Sequence, residues 1–210
     1  MATPVLGQVD LNGTIVTAGA LHTVTATAEF ICDNGGEFAL PVKENRQALF
    51  DALDALPWDQ VPVAHSQTDR GHGRVTTRTI QVLPAPEDLP FPHVSQALLI
   101  ERDVSDLAGN PLSAVAALGV ASPGPDKASP ADLARYVRGQ WAIESHHWLR
   151  DTLCQEDKSP VRMRFGPRIM AALRNLAISA LHLAGRTDIT EATRWASRSM
   201  DRPSTILRIT

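Results

Sequence analysis

Hydrophobic and polar positions follow three different rhythms along this chain, and each predicts a different kind of element. Thr14–Ala18 (T-I-V-T-A) is a short apolar run of strand length. Val24–Cys32 is compatible with a helix that the run Asp33-Asn34-Gly35-Gly36 should stop. Glu37–Lys43 predicts a second strand despite Pro41. A helix capped by Asn45 should follow through Leu56, with Leu49, Leu53 and Leu56 on one face. Strand–helix–strand–helix at this spacing points to a parallel α/β layer. After Pro57-Trp58 the rhythm becomes two. Val61–Asp69 and Arg74–Leu83 alternate around Arg70-Gly71-His72-Gly73 and predict a β-hairpin. Val94–Asp103 and Leu112–Val120 read as further strands, and Ser122–Lys127 as a Pro/Gly-rich linker.

From Ser129 the period is helical. Ser129-Pro130-Ala131-Asp132 is a start signal: a capping hydroxyl, a proline at the first helical position and an acid in the positive first turn. At about 100° per residue, Leu133, Val137, Trp141 and Trp148 form one stripe. Glu144 falls inside that stripe. A buried carboxylate is costly unless cations or several donors meet it. It therefore presents an acid toward the interior on a rigid element, as a metal-dependent site needs; the alternatives are an arginine partner or a place at the stripe's wet edge. Gly166–Ala184 predicts a long amphipathic helix with Ile169, Met170, Leu173, Leu176, Ala177 and Leu181 on one arc. A shorter helix, Ile189–Ser197, closes the expected fold. The organisation expected is residues 1–56 as a β-α-β-α piece, 57–128 as a β-rich insertion and linker, and 129–210 as C-terminal helices.

Charge refines this picture. The net charge of -3 argues against a uniformly basic nucleic-acid binder. Residues 1–130 carry 7 Lys and Arg against 15 Asp and Glu, whereas residues 131–210 carry 13 against 8. The C-terminal third is the candidate anion-binding part, although a solvated basic face has the same composition. Cys32 and Cys154 stand in unrelated contexts, which argues against a disulfide framework or thiolate metal site and fits a reduced, cytoplasmic chain. No signal peptide is visible, and the small-apolar run Ala114–Ala121 is too short to span a bilayer, so no membrane role is expected.

Among other candidates, Glu144, His146 and His147 form an E-x-H-H cluster. Adjacent histidines point about 100° apart, unlike the i, i+4 pair of a zinc helix. Arg70–Arg74 could cradle a phosphate but has no Walker lysine after it, which favours a plain hairpin turn. His22 reads as a loop histidine.

Five segments occur in a telling order: V-T-A-G-A-L-H-T (16–23), L-P-V-K-E-N (40–45), R-G-H-G-R-V-T-T-R-T (70–79), R-G-Q-W-A-I-E-S-H-H-W-L-R-D (138–151) and R-I-M-A-A-L-R-N-L-A-I (168–178). Together they resemble the C-terminal half of bacterial insertion-sequence transposases of the DDE type. The resemblance implies an RNase-H-like α/β (α+β) core, truncated here, with a β insertion and a C-terminal helical region. It implies DNA transposition by two aspartates and one glutamate holding two Mg2+ or Mn2+ ions. Glu144 stands where that family places its catalytic, metal-binding glutamate.

Two departures follow. Gly19 occupies the place of the second catalytic aspartate, and the first belongs to a half of the family pattern that this sequence does not match. The resemblance therefore implies a transposase-derived chain lacking catalysis by itself, with Mg2+ or Mn2+ not held tightly. Lys43, Arg138, Arg162, Arg164, Arg168 and Arg174 are the candidate DNA-binding residues; some could instead pair with carboxylates. DNA binding is expected to be weak and non-specific, with self-association or pairing with a full-length transposase as the protein partnership. The alternatives are a non-catalytic DNA-binding or transposase-interacting protein, or a remnant without a selected function.

Overall fold

The computed structural model describes residues 6–186 and 188–207, with the side chains of residues 141–148 and of Asp157 left aside. It is a mixed α/β structure that divides into two compact units, Met1–Trp141 and Ala142–Thr210. The first holds a six-stranded sheet. Its strands are β1 (Ile15–Thr17), β2 (Glu37–Val42), β3 (His65–Gly71), β4 (Arg74–Pro84), β5 (Gln96–Asp106) and β6 (Pro111–Ala121). They lie in the order β1-β2-β6-β5-β4-β3, with β1 and β2 parallel and every other pair antiparallel. The expected β-α-β-α piece is present: α1 (Thr25–Asp33) lies between β1 and β2, and α2 (Gln47–Asp54) follows.

The stop after α1 works as its sequence implies. Gly35 takes φ +75°, Gly35 N–H donates to Cys32 O, and Gly36 N–H reaches back to Ile31 O at 2.9 Å. These two bonds satisfy carbonyls that the helix end would leave bare. The start of α2 differs from expectation. Asn45 lies in a 3-10 turn and makes no cap bond. Its side-chain amide donates to Ala20 O at 3.3 Å, so a tertiary contact has taken the side chain that would have capped the helix. In the β3–β4 turn His72 and Gly73 both have positive φ, 52° and 73°. That is the backbone of a two-residue hairpin loop.

Alternation along the strands sorts side chains onto two faces. Phe38, Leu40, Val42, Ala97, Leu118 and Val120 lie on one face with Ala28, Ile31, Leu49 and Leu53 of α1 and α2. Ala39, Ile80, Leu98, Ile100 and Ala121 lie on the other with Ala128 and Leu133. Leu133 belongs to α3 (Pro130–Thr152). Its N-terminus carries the expected Ser129 cap, and Asp132 makes it a reciprocal box: Asp132 N–H donates to Ser129 Oγ at 3.3 Å, and Ser129 N–H to Asp132 Oδ2 at 3.2 Å. The expected linker is partly interior. Ser122 and Ala128 are buried, and the buried Gln96 donates to Pro123 O at 2.8 Å.

The second unit is helical: the end of α3, then α4 (Gly166–Leu183), α5 (Ile189–Ala196) and α6 (Asp201–Leu207). The sequence pattern does not announce α6. Pro203 reads as a breaker, yet it sits in the first turn, where its missing N–H costs nothing. The predicted arc of α4 is corrected. Ile169, Leu173 and Leu176 are exposed, and the buried strip is Ile178 and Leu181, packed with Ile189 and Ala192. Arg174 explains the turn. It lies one helical turn before Ile178, and Nη1 sits 3.7 Å from Glu156 Oε1, with its side chain only 12% exposed.

One polar lock ties β2 to the segment that follows β6. Glu37 accepts from Ser122 Oγ at 2.6 Å and from Lys127 Nζ at 2.7 Å, and Ser122 Oγ accepts from Phe38 N–H. Burial disfavours the charged form of Glu37, but the Lys127 and Ser122 bonds outweigh it and hold its pKa below the ordinary carboxylate value. Its contribution to stability is therefore complete above the unfolded-state pKa and is lost as pH falls through the lower folded-state pKa. Glu37→Gln should lower the unfolding temperature by roughly 2–4 °C at neutral pH. That gap should close in acid, and thermal melts of both proteins across pH will measure it.

Candidate functional site

The family-like segments 16–23 and 40–45 are brought together beyond the C-terminal ends of the two parallel strands. β1 ends at Thr17, and Gly19 opens a 3-10 turn, Ala20–His22. Thr23 Oγ1, fully buried, donates to Pro41 O at 2.7 Å, and Asn45 ties Ala20 to the start of α2. A cavity of about 310 Å3 opens beside this junction, lined among others by Thr23, Thr25, Asn45, Arg46 and Phe91.

Gly19 has φ −69° and ψ 158°, ordinary extended backbone open to any residue. A Cβ placed there would meet Gln140 Nε2 at 3.8 Å, ordinary van der Waals contact. Gln140 is a buried polar residue of α3, four positions before Glu144 in the chain. Segment 138–151 thus approaches the Gly19 loop through Gln140. Gly19 has no side-chain oxygen to act as a ligand, and a neutral amide faces it.

The remaining sequence candidates belong to several different elements. Glu144 lies within α3, and its side chain, with those of His146 and His147, is outside the described residues. Lys43 is exposed just before the 3-10 turn Glu44–Arg46. Arg138 reaches the hairpin: Nη2 lies 3.1 Å from Asp69 Oδ2, which also accepts from Arg78 Nη1 at 2.7 Å. Arg78 Nε is buried without a hydrogen-bond partner among the described residues. Arg162, Arg164 and Arg168 are exposed, whereas Arg174 is turned toward Glu156. Glu156 also takes a forked contact from Arg150, 2.5 Å from Nε and 2.6 Å from Nη2. Among the described residues no three His, Cys, Asp or Glu side chains cluster as metal ligands would. No helix among them is long and apolar enough to cross a membrane.

Sequence reasoning missed Gln140 and Asp69. Gln140 carried a usable signal, seven positions after Leu133 and so on the same helical face. Asp69 carried none, because its partners come from β4 and α3.

Comparison with known proteins decides what this frame belongs to. The family model for the transposase DDE domain matches residues 1–180. The chain belongs to the transposase DDE domain family. A curated relative, the YbfL protein of Escherichia coli (strain K12), is 23% identical over 195 residues. That alignment covers 84% of this chain and 49% of the relative, so the chain spans about half the relative's length. A solved structure, Streptomyces venezuelae DesVI, aligns with a TM-score of 0.25 at 9% identity, over 60% of this chain and 49% of that one. A likeness that weak carries no argument about the fold. Membership of the DDE family supports a transposition-related function, which in this family involves DNA and divalent metal ions.

The open geometry at residue 19 makes a direct prediction. Since φ and space there suit an L-residue, Gly19→Ala should leave stability unchanged or raise it by up to about 1 kcal/mol. Urea unfolding will measure this. A loss above about 1.5 kcal/mol would mean that the loop needs glycine for its own shape.

Proposed function

We propose that this chain is a transposase-derived protein that engages DNA and does not cut or join it when acting by itself. The observation that carries the reading is Gly19. It stands at the family's second aspartate position, within a loop that has room for a side chain and faces Gln140. Mg2+ surrenders its water shell reluctantly and needs several oxygen ligands. With Glu144 as the remaining ligand of the family set in this sequence, the residues present do not fit a two-metal centre, and Mg2+ or Mn2+ is held weakly.

The RNase-H-like reading of the core gains support from the parallel β1–α1–β2–α2 order and from the approach of Gln140 to the Gly19 loop. DNA contact is assigned to the exposed, basic Arg162, Arg164 and Arg168, with Lys43 nearer the strand ends. Arg138 and Arg174, already paired with acids, serve the fold first. Pairing with a full-length transposase gives such a chain a role as a partner or competitor.

Purified chain incubated with duplex DNA and Mg2+ or Mn2+ should give no strand cleavage or transfer, and Gly19→Asp alone should not restore either. Metal-dependent cleavage that disappears in Glu144→Gln would overturn this reading. Binding should be weak and salt-sensitive. Replacing Arg162, Arg164 and Arg168 with Gln should flatten the slope of log K against log salt by up to about three units, roughly 0.9 for each phosphate no longer neutralised.

A further inference from the structure

The second basic feature of the C-terminal unit involves none of the arginines assigned above. Asp188 caps α5 by accepting from Glu191 N–H at 2.9 Å, which starts the helix just after Arg186. Ile189 and Ala192 face the unit's apolar cluster, together with Ile206 of α6. This orientation leaves Trp195 half-buried at the end of α5. Two guanidinium groups lie over its ring: Arg186 Cζ is 4.4 Å from the centroid and Arg202 Cζ 4.7 Å. Arg202 Nη1 also donates to Trp195 O at 2.7 Å, which pins α6 to the end of α5. The two cations are thus no more than about 9 Å apart, the limit set by their distances to a shared ring.

Among the described residues, neither Arg186 nor Arg202 forms an ion pair with a carboxylate. Arg194 and Arg198 flank Trp195 in the sequence, are exposed, and have no such pair among those residues either. Elsewhere in this unit Arg150 and Arg174 share Glu156, so unpaired arginine is not the general condition here. Stacking on indole fixes the plane of a guanidinium while leaving N–H groups along its edge, apart here from the Arg202 Nη1 that serves Trp195 O. That edge matches the paired oxygens of a phosphate. One strand of duplex DNA places a phosphate about every 3.4 Å along its axis, so two oriented cations within about 9 Å can meet neighbouring phosphates of one strand.

We propose that Arg186 and Arg202, held by Trp195, form a backbone-phosphate clamp for duplex DNA, separate from the Arg162–Arg168 segment. The inference rests on the DNA-engaging reading above and adds a surface to it. The clamp positions DNA without reading its sequence, because its contacts are to phosphates.

The test is fluorescence anisotropy of a labelled duplex with the full chain, titrated with KCl. Arg186→Gln should lower the salt slope by about one unit, and Arg186→Gln with Arg202→Gln by about two. Arg186→Lys with Arg202→Lys should keep most of the slope, since charge is retained, while binding weakens because the planar fork is gone. Arg202 supports the fold through Trp195 O, so circular dichroism accompanies each variant. The exposed Arg186→Gln carries the test by itself if the double variant unfolds. A wild-type slope in Arg186→Gln, or in a folded double variant, overturns the clamp and leaves the DNA reading standing. Absence of salt-dependent binding by the wild type overturns both. Preference for hairpin RNA over the duplex, abolished in Arg186→Gln, overturns the assignment to DNA.

Discussion

The antiparallel pairing of β2 with β6 is the contact on which the first unit depends. It joins a parallel β-α-β-α segment to an antiparallel meander that begins at His65 and would otherwise form a separate sheet. The register Ala39↔Ala121 through Val42↔Leu118 places Leu40 opposite Val120, both essentially without exposed surface. Gly119 permits the approach, since a Cβ there would come within 3.2 Å of Leu40 O. Ser122 then prolongs the pairing past the strand end, where its N–H donates to Phe38 O. Because this seam is continuous, both faces of the sheet are continuous too. One is covered by α1 and α2, and the other receives the start of α3.

What holds α3 to that face differs from what directs it. Leu133 is fully buried, and burial of a leucine side chain is worth about 1.5–3 kcal/mol. The Arg138–Asp69 pair is nearly half exposed on both sides, and such pairs contribute about 0–1 kcal/mol. The leucine anchors the helix. The ion pair fixes which way the helix faces and so helps bring Gln140 to the Gly19 loop. Asp69 serves two arginines from different elements, which makes it a geometric reference rather than a source of stability.

Local features were well legible in the sequence. The capping box at Ser129, the glycine stop after α1 and the turn at His72-Gly73 are each governed by a few adjacent residues, and each stands where its residues place it. Features decided at long range were less legible. Asn45 has the chemistry of a cap, but Ala20 O competes for it from 25 positions away. The periodicity of α4 is genuine, yet period alone does not say which part of a broad apolar arc is covered; the Arg174–Glu156 contact and the short α5 decide that. At the candidate site, family resemblance singled out Gly19, and Gln140, on the helical face of Leu133, was recognised as its neighbour through the fold. The Arg186–Trp195–Arg202 stack was invisible because it joins the flanks of two short helices, one of them unforeseen.

The two edges of the sheet have a consequence for how this chain meets others. β1 is only three residues long, so its outer edge offers an incoming strand very few hydrogen bonds. At the far side β3 is longer but carries His65, Asp69 and Arg70, and charge along an edge discourages stacking of like copies. Both edges of this open sheet thus disfavour backbone pairing with a further copy. The exposed row Ile169, Leu173 and Leu176 on α4 is a different kind of surface, apolar side chains with no free backbone to pair.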